Sequence, residues 1–166
     1  MSDGSTELNV IEADLKNITH AAAVIDLLSA YALDPMGGGE ALSAYTQMHL
    51  VAELASRDTA LVILAFDNAM PVGLLIGFEG FSTFACKPLL NIHDVVVVSH
   101  YRGQGIAGRM LKKVEELARS RDYCKLTLEV LEGNAPAQSA YQSSGFVAYQ
   151  LDPAMGPALF WEKKLD

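Results

Sequence analysis

The sequence predicts a single α/β domain built on a mixed, mostly antiparallel central sheet with helices on both faces. Segments with apolar residues at three- and four-residue steps alternate with shorter runs of strand character, in the order β-α-α-β-β-β-α-β-α-β-β. Of the 166 residues, 51% are hydrophobic and 19% are charged, so the chain can bury a core. No repeat or linker divides it, and we expect one domain over residues 1–166.

The first part of the chain predicts one strand and two helices. Residues 7–14 alternate apolar and polar side chains, which indicates a strand. Apolar residues recur at helical spacing over residues 17–33. The stretch LDPMGGGE, residues 33–40, ends this helix because Pro35 and three successive glycines do not continue one comfortably. Helical spacing then resumes over residues 40–56.

Strands dominate the next part of the chain. Residues 59–67 and 71–81 are joined around NAMP, which indicates a hairpin. A longer strand over residues 87–98 ends in four valines and is expected to be covered on both faces. The remaining predicted elements are a helix over 104–121, a strand over 124–131, a helix over 134–144 and two closing strands over 146–151 and 158–165.

The composition excludes several classes of function. Twelve Lys and Arg stand against 20 Asp and Glu, whereas a nucleic-acid-binding protein needs a basic face, so we expect no nucleic-acid partner. The net charge of −8 either keeps the protein soluble or favours a cationic substrate. No apolar run reaches the roughly 18 residues of a membrane span, and the first ten residues lack the features of a signal peptide. These observations predict a soluble, cytoplasmic protein.

The two cysteines, Cys86 and Cys124, form no C-x-x-C pair and belong to no cluster with metal-ligand spacing. We expect both to be buried free thiols. No metal site is expected.

The stretch VVVVSHYRGQGIAGRML, residues 95–111, contains a literal G-x-G-x-x-G at Gly103, Gly105 and Gly108. This is the dinucleotide-binding fingerprint, and Glu129 stands near the position of its ribose-binding acid. Two features oppose NAD or FAD. Four residues separate the valines from the first glycine, and too little chain follows for a second nucleotide-binding half. The glycines are therefore interpreted as a turn that precedes a helix, and the amide groups and dipole of that helix favour a pyrophosphate.

The same loop has the pattern Arg102-x-x-Gly105-x-Ala107, which resembles the R/Q-x-x-G-x-G/A motif of the GNAT superfamily of acyl-CoA-dependent N-acyltransferases. Downstream, NAPAQSAYQSSGF resembles the N-x-x-A-x-x-x-Y-x-x-x-G-F segment of that family, with Asn134 and Tyr141 in register. An ordinary capped helix explains the second segment as well, and the two explanations are compatible. Two motifs at this separation, within this order of elements, identify the chain as a member of the superfamily.

The resemblance implies acetyl-CoA as co-substrate. The backbone of the valine strand would hold the pantetheine arm as an added strand does, and Asn134 would bond a pantetheine amide. The glycine turn would bind the pyrophosphate. The implied cofactor-binding residues are Val95, Val96, Val97, Arg102, Gly103, Gln104, Gly105, Ile106, Ala107, Gly108 and Asn134.

The resemblance also implies direct transfer of an acetyl group to a primary amine of a small molecule. Tyr141 is the expected general acid for the leaving thiolate, although a packed core tyrosine explains the same residue. A main-chain N–H near Val95 would face the thioester carbonyl as oxyanion donor. A non-catalytic acyl-CoA-binding or regulatory module on the same fold is the alternative. A homodimer is expected because similar proteins are commonly dimers.

The base is expected at His93 or Asp94. The stretch NIHDVVVV is similar to the diamine and polyamine acetyltransferase branch, in which an acidic pair opens the strand, but His93 replaces the first acid and puts a polyamine substrate in doubt. Since neighbours on a strand point to opposite faces, only one is expected to reach the site. An imidazole can in general serve as a base near neutral pH, which favours His93, and a structural histidine is an equal alternative. Asp94 is expected to be structural or to orient the substrate.

Residues 33–40 lie between the two helices that border the acceptor site in this superfamily. They form either a mobile lid over the amine or a flexible surface loop. Tyr31 and Tyr45 are close in sequence, but we expect both to pack in the helix core. The candidate acceptor-binding residues are Asp34, Met36 and Glu40.

Overall fold

The computed structural model describes residues 7–165. These residues divide into two compact units, one ending at Leu128 and the other beginning at Glu129. Residues 1–6 and residue 166 lie outside the described residues. The expectation that the first ten residues lack the features of a signal peptide falls mostly on this undescribed part. The assignment of residues 1–166 to one domain stays a prediction.

The first unit contains a five-stranded sheet in the order β1-β2-β3-β4-β5. The first four strands are antiparallel neighbours, and β5 runs parallel to β4. A parallel neighbour must be reached by a crossover connection, and a helix supplies it here. The mixed, mostly antiparallel sheet is therefore confirmed. The strands are β1 (Leu8–Glu12), β2 (Ala60–Asp67), β3 (Met70–Ser82), β4 (Lys87–Val97) and β5 (Leu126–Leu128).

Side-chain caps set where the first two helices begin. In the first turn of the first helix, the Asn17 side chain accepts hydrogen bonds from the amides of Thr19 and His20. In the first turn of the second helix, the Ser43 hydroxyl accepts one from the amide of Thr46. The second helix therefore begins four residues later than the predicted range of 40–56. The helices of the first unit are α1 (Ile18–Ala32), α2 (Ala44–Ala55) and α3 (Ile106–Ser120).

Helices cover both faces of the sheet, as predicted. Val24 and Leu27 of α1 and Leu54 of α2 belong to one buried cluster, which the strands complete with Val62, Leu64, Phe66, Leu74, Ile76 and Val96. On the opposite face α3 approaches the backbone of β3 closely. A Cβ built on Gly73 would lie 3.0 Å from Sδ of Met110. Because both faces are covered, β2 is buried from Leu61 to Phe66 without the alternation of a half-exposed strand.

The second unit contains α4 (Ala135–Ser143) and a short 3₁₀ turn at Pro153–Met155. The two closing strands predicted over 146–151 and 158–165 are wrong, because the described residues form no strand there. A backbone hydrogen bond joins the amide of Ala158 to the carbonyl of Tyr149, at 3.1 Å, but no ladder follows it. Pro153 and Pro157 have no amide hydrogen to donate, and the chain between them turns instead of extending.

Three smaller expectations are also corrected. Cys86 and Cys124 are exposed, because one lies in the turn between β3 and β4 and the other just before the short edge strand β5. Strand β5 has three residues instead of the predicted 124–131. Tyr45 is 69% exposed on α2 and does not pack in the core. Among the described residues, no helix is long and apolar enough to cross a membrane.

Candidate active site

Strand β4 contains a β-bulge in its middle. The register with β3 shifts next to Asp94, which pairs with Ile76, and leaves His93 as the extra residue. Asp94 shares the α1 side of the sheet with Ile76, and the His93 ring packs edge-on against Phe78 on the same side, with ring centroids 5.1 Å apart. The expectation that the two side chains would point to opposite faces is therefore wrong, because the bulge interrupts the alternation. Which of them reaches the site stays a prediction.

Beyond the bulge, β4 has a free edge. Strand β5 pairs with it only along Leu90–Ile92, and no ladder partner follows for residues 93–97 on that side in the part of the chain that the structure describes. The three valines expected to hold pantetheine lie here. Val96 is buried and its two neighbours are half-buried, so the valine run is less covered than predicted. A free strand edge offers the amide and carbonyl groups that an extended ligand needs.

The glycine turn leads directly into α3. Gly105 is the N-cap residue and has a φ of 77°, in the left-handed region that favours glycine. Among residues 7–165, no side chain caps this helix, so its first amide groups are available to a ligand. A Cβ on Gly103, Gly105 or Gly108 would meet nothing within 4 Å, which leaves the space in front of the turn open. This arrangement supports phosphate binding at the helix N-terminus.

Side chains around the turn hold its shape. Gln104 Nε2 donates to the carbonyl of His100 at 3.1 Å, and the Tyr101 hydroxyl donates to Asp67 Oδ2 at 2.9 Å. His100 itself is exposed. The turn is therefore fixed both internally and to the hairpin between β2 and β3.

The segment between α1 and α2 is folded and is connected to this turn. It contains a 3₁₀ turn at Pro35–Gly37, capped by Asp34, whose Oδ1 accepts from the amide of Met36 at 2.9 Å. The other carboxylate oxygen of Asp34 accepts from Arg102 Nη2, also at 2.9 Å. Of the predicted acceptor-binding residues, Asp34 is thus engaged in an ion pair, whereas Met36 and Glu40 are exposed.

Five groups form one electrostatic cluster on the α1 side of β4. Burial raises the pKa of the Asp94 carboxyl, and the nearby His93 opposes this. Burial also raises the pKa of Tyr31, as do the charges of Asp94 and Asp34, while Arg102 lowers it. A hydrogen bond from a backbone amide, followed by the contact with Arg102, lowers the pKa of Asp34. Asp94 is therefore the carboxyl of the cluster that holds a proton more readily, as suits a general base.

Helix α4 of the second unit carries the other motif. Asn134 caps it by accepting from the amide of Ala137 at 3.2 Å, as expected. Tyr141 is half-buried and faces Phe146, with ring centroids 6.1 Å apart. The contact of Asn134 with pantetheine and the role of Tyr141 as general acid stay predictions.

Two further features bear on the chemistry. In residues 7–165, no group of three or more His, Cys, Asp or Glu could hold a metal ion. A groove of about 360 Å³ lies between the first half of α1 and the hairpin at Phe66 and Pro71, and none of the predicted site residues lines it. The candidate site is thus defined by β4 and the glycine turn rather than by this groove.

The sequence profile described as the Acetyltransferase (GNAT) family matches residues 24–146. Streptothricin acetyltransferase of Streptomyces lavendulae is 39% identical over 50% of this chain and 44% of its own length. Thialysine N-epsilon-acetyltransferase of Bos taurus is 34% identical over 45% of this chain and 43% of its own length. The chain thus aligns with less than half of each of these two relatives.

The fold is also similar to that of a solved structure. An aminoglycoside acetyltransferase from an uncultured soil metagenomic sample superposes with a TM-score of 0.78. The alignment covers 98% of this chain and 99% of that one, at 17% sequence identity. At this identity the likeness establishes the fold alone.

Proposed function

Because the chain belongs to the acetyltransferase (GNAT) family and is an acyltransferase, we propose that it transfers the acetyl group of acetyl-CoA to a primary amine of a small molecule. The reaction proceeds by direct attack in a ternary complex. One observation carries this proposal: the free edge of β4 along residues 93–97 leads into an open, uncapped glycine turn at the start of α3.

Acetyl-CoA fits these two features together. The backbone amides from Gly103 to Gly108 bind the pyrophosphate, where no side chain occupies the space or satisfies the helix N-terminus. The pantetheine arm extends along Val95–Val97 and takes the hydrogen bonds of an added strand. This arrangement directs the thioester towards the bulge at His93 and Asp94, where an amine can reach it.

The amine must lose a proton to become a nucleophile. We assign this proton to Asp94, because burial raises the pKa of its carboxyl and so makes it a stronger base than an exposed aspartate. His93 lies beside it on the bulge and is the other candidate. The amine nitrogen then attacks the thioester carbonyl carbon, and an amide near Val95 stabilises the oxyanion.

Collapse of the tetrahedral intermediate breaks the carbon–sulfur bond. The thiolate of coenzyme A takes a proton from the Tyr141 hydroxyl, since a phenol can protonate a thiolate within hydrogen-bond reach. The nitrogen gives up its second proton as the intermediate collapses, and this proton restores the phenol. The products are an N-acetylated amine and free coenzyme A. The role of Tyr141 rests on its place in the sequence motif.

The names of the two curated relatives support a small, amine-bearing acceptor. A polyamine is disfavoured because His93 stands where the polyamine branch has an acid. The proposal also includes a cytoplasmic location, which rests on the amino-acid sequence, and a homodimer, which follows from the resemblance alone.

A thiol-release assay with acetyl-CoA and a panel of primary amines tests the function. The panel contains a lysine analogue, an aminoglycoside and a polyamine, and the control reaction contains no amine. We expect amine-dependent release of coenzyme A with at least one of the first two. If acetyl-CoA raises the melting temperature while no amine releases thiol, the chain is a binding module and the proposal is wrong.

A further inference from the structure

Arg102 connects three segments that are distant in sequence. Its Nε donates to the carbonyl of Val97 at the end of β4, at 3.0 Å. Its Nη2 donates to Asp34, 68 positions earlier in the chain, at 2.9 Å. Arg102 also begins the glycine turn. The guanidinium is therefore directed at a strand end and a carboxylate, although the sequence motif places the residue in the phosphate-binding loop.

The segment that Arg102 holds, residues 34–39, has a defined conformation. We call it the acceptor wall. The carbonyl of Asp34 accepts from the amides of Gly37 and Gly39, at 2.8 and 3.1 Å. The Tyr31 hydroxyl donates to the carbonyl of Met36 at 3.2 Å. A Cβ on Gly37 would lie 2.0 Å from the carbonyl oxygen of Tyr31, so this position requires glycine. The wall is thus folded back onto Tyr31.

Tyr31 in turn is near Asp94. Tyr31 packs against the buried cluster that contains Ile76, and Asp94 pairs with Ile76 across β3 and β4. Burial raises the pKa of the Tyr31 hydroxyl, and the charges of Asp94 and Asp34 add to this. The two side chains therefore lie in one cluster on the α1 side of β4. A displacement of the acceptor wall would move Tyr31 and change the surroundings of the proposed base.

We propose that Arg102 is a positioning residue, whose guanidinium ties Asp34 to the end of β4 and thereby fixes the acceptor wall beside Asp94. Its rigid fork of donors suits this task, because it reaches a carbonyl and a carboxylate at once, whereas lysine offers a single charged point. This inference rests on the proposed function in so far as it concerns the amine.

Hydrogen exchange tests the structural part without any substrate. Asp34→Asn removes the charge that binds Arg102 but keeps the oxygen that caps the wall. We expect the amides of the wall to exchange at least about threefold faster in this variant, since their opening costs less free energy. The matched control is Glu115→Gln, which removes the 2.6 Å ion pair with Arg119 on α3 and is expected to leave these amides unchanged. Unchanged exchange in Asp34→Asn would overturn the proposal.

Steady-state kinetics test the functional part. Asp34→Asn is expected to raise the KM for the amine by about tenfold and to change the KM for acetyl-CoA by less than about twofold. Arg102→Lys should likewise raise the KM for the amine and leave the KM for acetyl-CoA nearly unchanged. The double variant should have a KM for the amine no higher than that of the more impaired single variant, because both substitutions remove the same interaction.

If Arg102→Lys raises the KM for acetyl-CoA while Asp34→Asn does not change the KM for the amine, the guanidinium is a phosphate ligand and the proposal is wrong. If the unmodified protein acetylates no amine, the proposed function fails. The exchange experiment then still decides whether Arg102 holds the wall.

Discussion

Replacement of Gly108 by alanine is expected to stabilise the folded protein while weakening its binding of coenzyme A. Gly108 is the third residue of α3 and does not have a positive φ. A Cβ at this position would meet nothing within 4 Å. The folded chain therefore has no need of a glycine here. A helical Gly→Ala change contributes about 0.5–1 kcal/mol of stability. For a chain of this size, that corresponds to a melting temperature about 1–4 °C higher.

The proposed binding of coenzyme A would explain why a glycine stands at this position. If the pyrophosphate lies against the first turn of α3, the added methyl group occupies space that a phosphate oxygen needs. We expect the Kd for coenzyme A to rise at least about tenfold, which is about 1.4 kcal/mol of binding free energy. Thermal unfolding and titration calorimetry on the same sample measure the two opposite effects.

Gly105→Ala is the matched comparison. Gly105 has the same open surroundings, but its φ of 77° makes alanine unfavourable by about 1–2 kcal/mol. This variant should lose both stability and affinity, whereas Gly108→Ala should lose affinity alone. A Gly108→Ala protein with a higher melting temperature and an unchanged Kd would refute the assignment of the turn to coenzyme A. A lower melting temperature would refute the conformational reasoning.

Four further variants test the catalytic assignments and the turn. Tyr141→Phe is expected to lower kcat by about a hundredfold while leaving acetyl-CoA affinity nearly intact, and an unchanged kcat would remove Tyr141 as the acid. Asp94→Asn should also lower kcat by about a hundredfold, and this loss should be larger than the loss in His93→Gln. If pH–rate profiles show the larger loss of kcat in His93→Gln, the base is His93. Asp94→Asn should also raise the melting temperature at neutral pH, because burial disfavours the ionised carboxyl. The raised pKa means that this gain shrinks as pH falls through the folded-state pKa and disappears below the ordinary value of 3.8, where the carboxyl is protonated in both states. Gly105→Glu should abolish coenzyme A binding by steric and charge conflict, and undiminished affinity in a folded variant would contradict the pyrophosphate site.

Local features of the fold were predictable from the sequence. The hairpin between β2 and β3 and the cap at Asn134 depend on residues that are neighbours in the chain, and the structure has both. The length of α2 was less predictable, since the helical spacing over 40–56 continues through the residues that precede its Ser43 cap. The prediction of two closing strands was wrong for a different reason. A strand requires a partner, and alternation within 146–151 does not supply one.

The candidate site depends on contacts that the sequence does not encode locally. The motif identified Arg102, but nothing near it in sequence indicates its pairing with Asp34, which tertiary folding alone creates. The bulge at His93 is a single extra residue and leaves no mark on the apolar pattern around it. Tyr31 was expected in the helix core. It does pack there, and the same placement brings its hydroxyl under the influence of Asp94.

The central claim is that acetyl-CoA and a small primary amine react with each other on this protein. Quantifying coenzyme A and the N-acetylated amine in the same reaction, by chromatography with mass detection, tests it most directly. The two products should appear in equal amounts, and both should disappear with Gly105→Glu. Release of coenzyme A without acetylated amine would indicate thioester hydrolysis and would contradict the claim, as would the absence of both products at saturating acetyl-CoA.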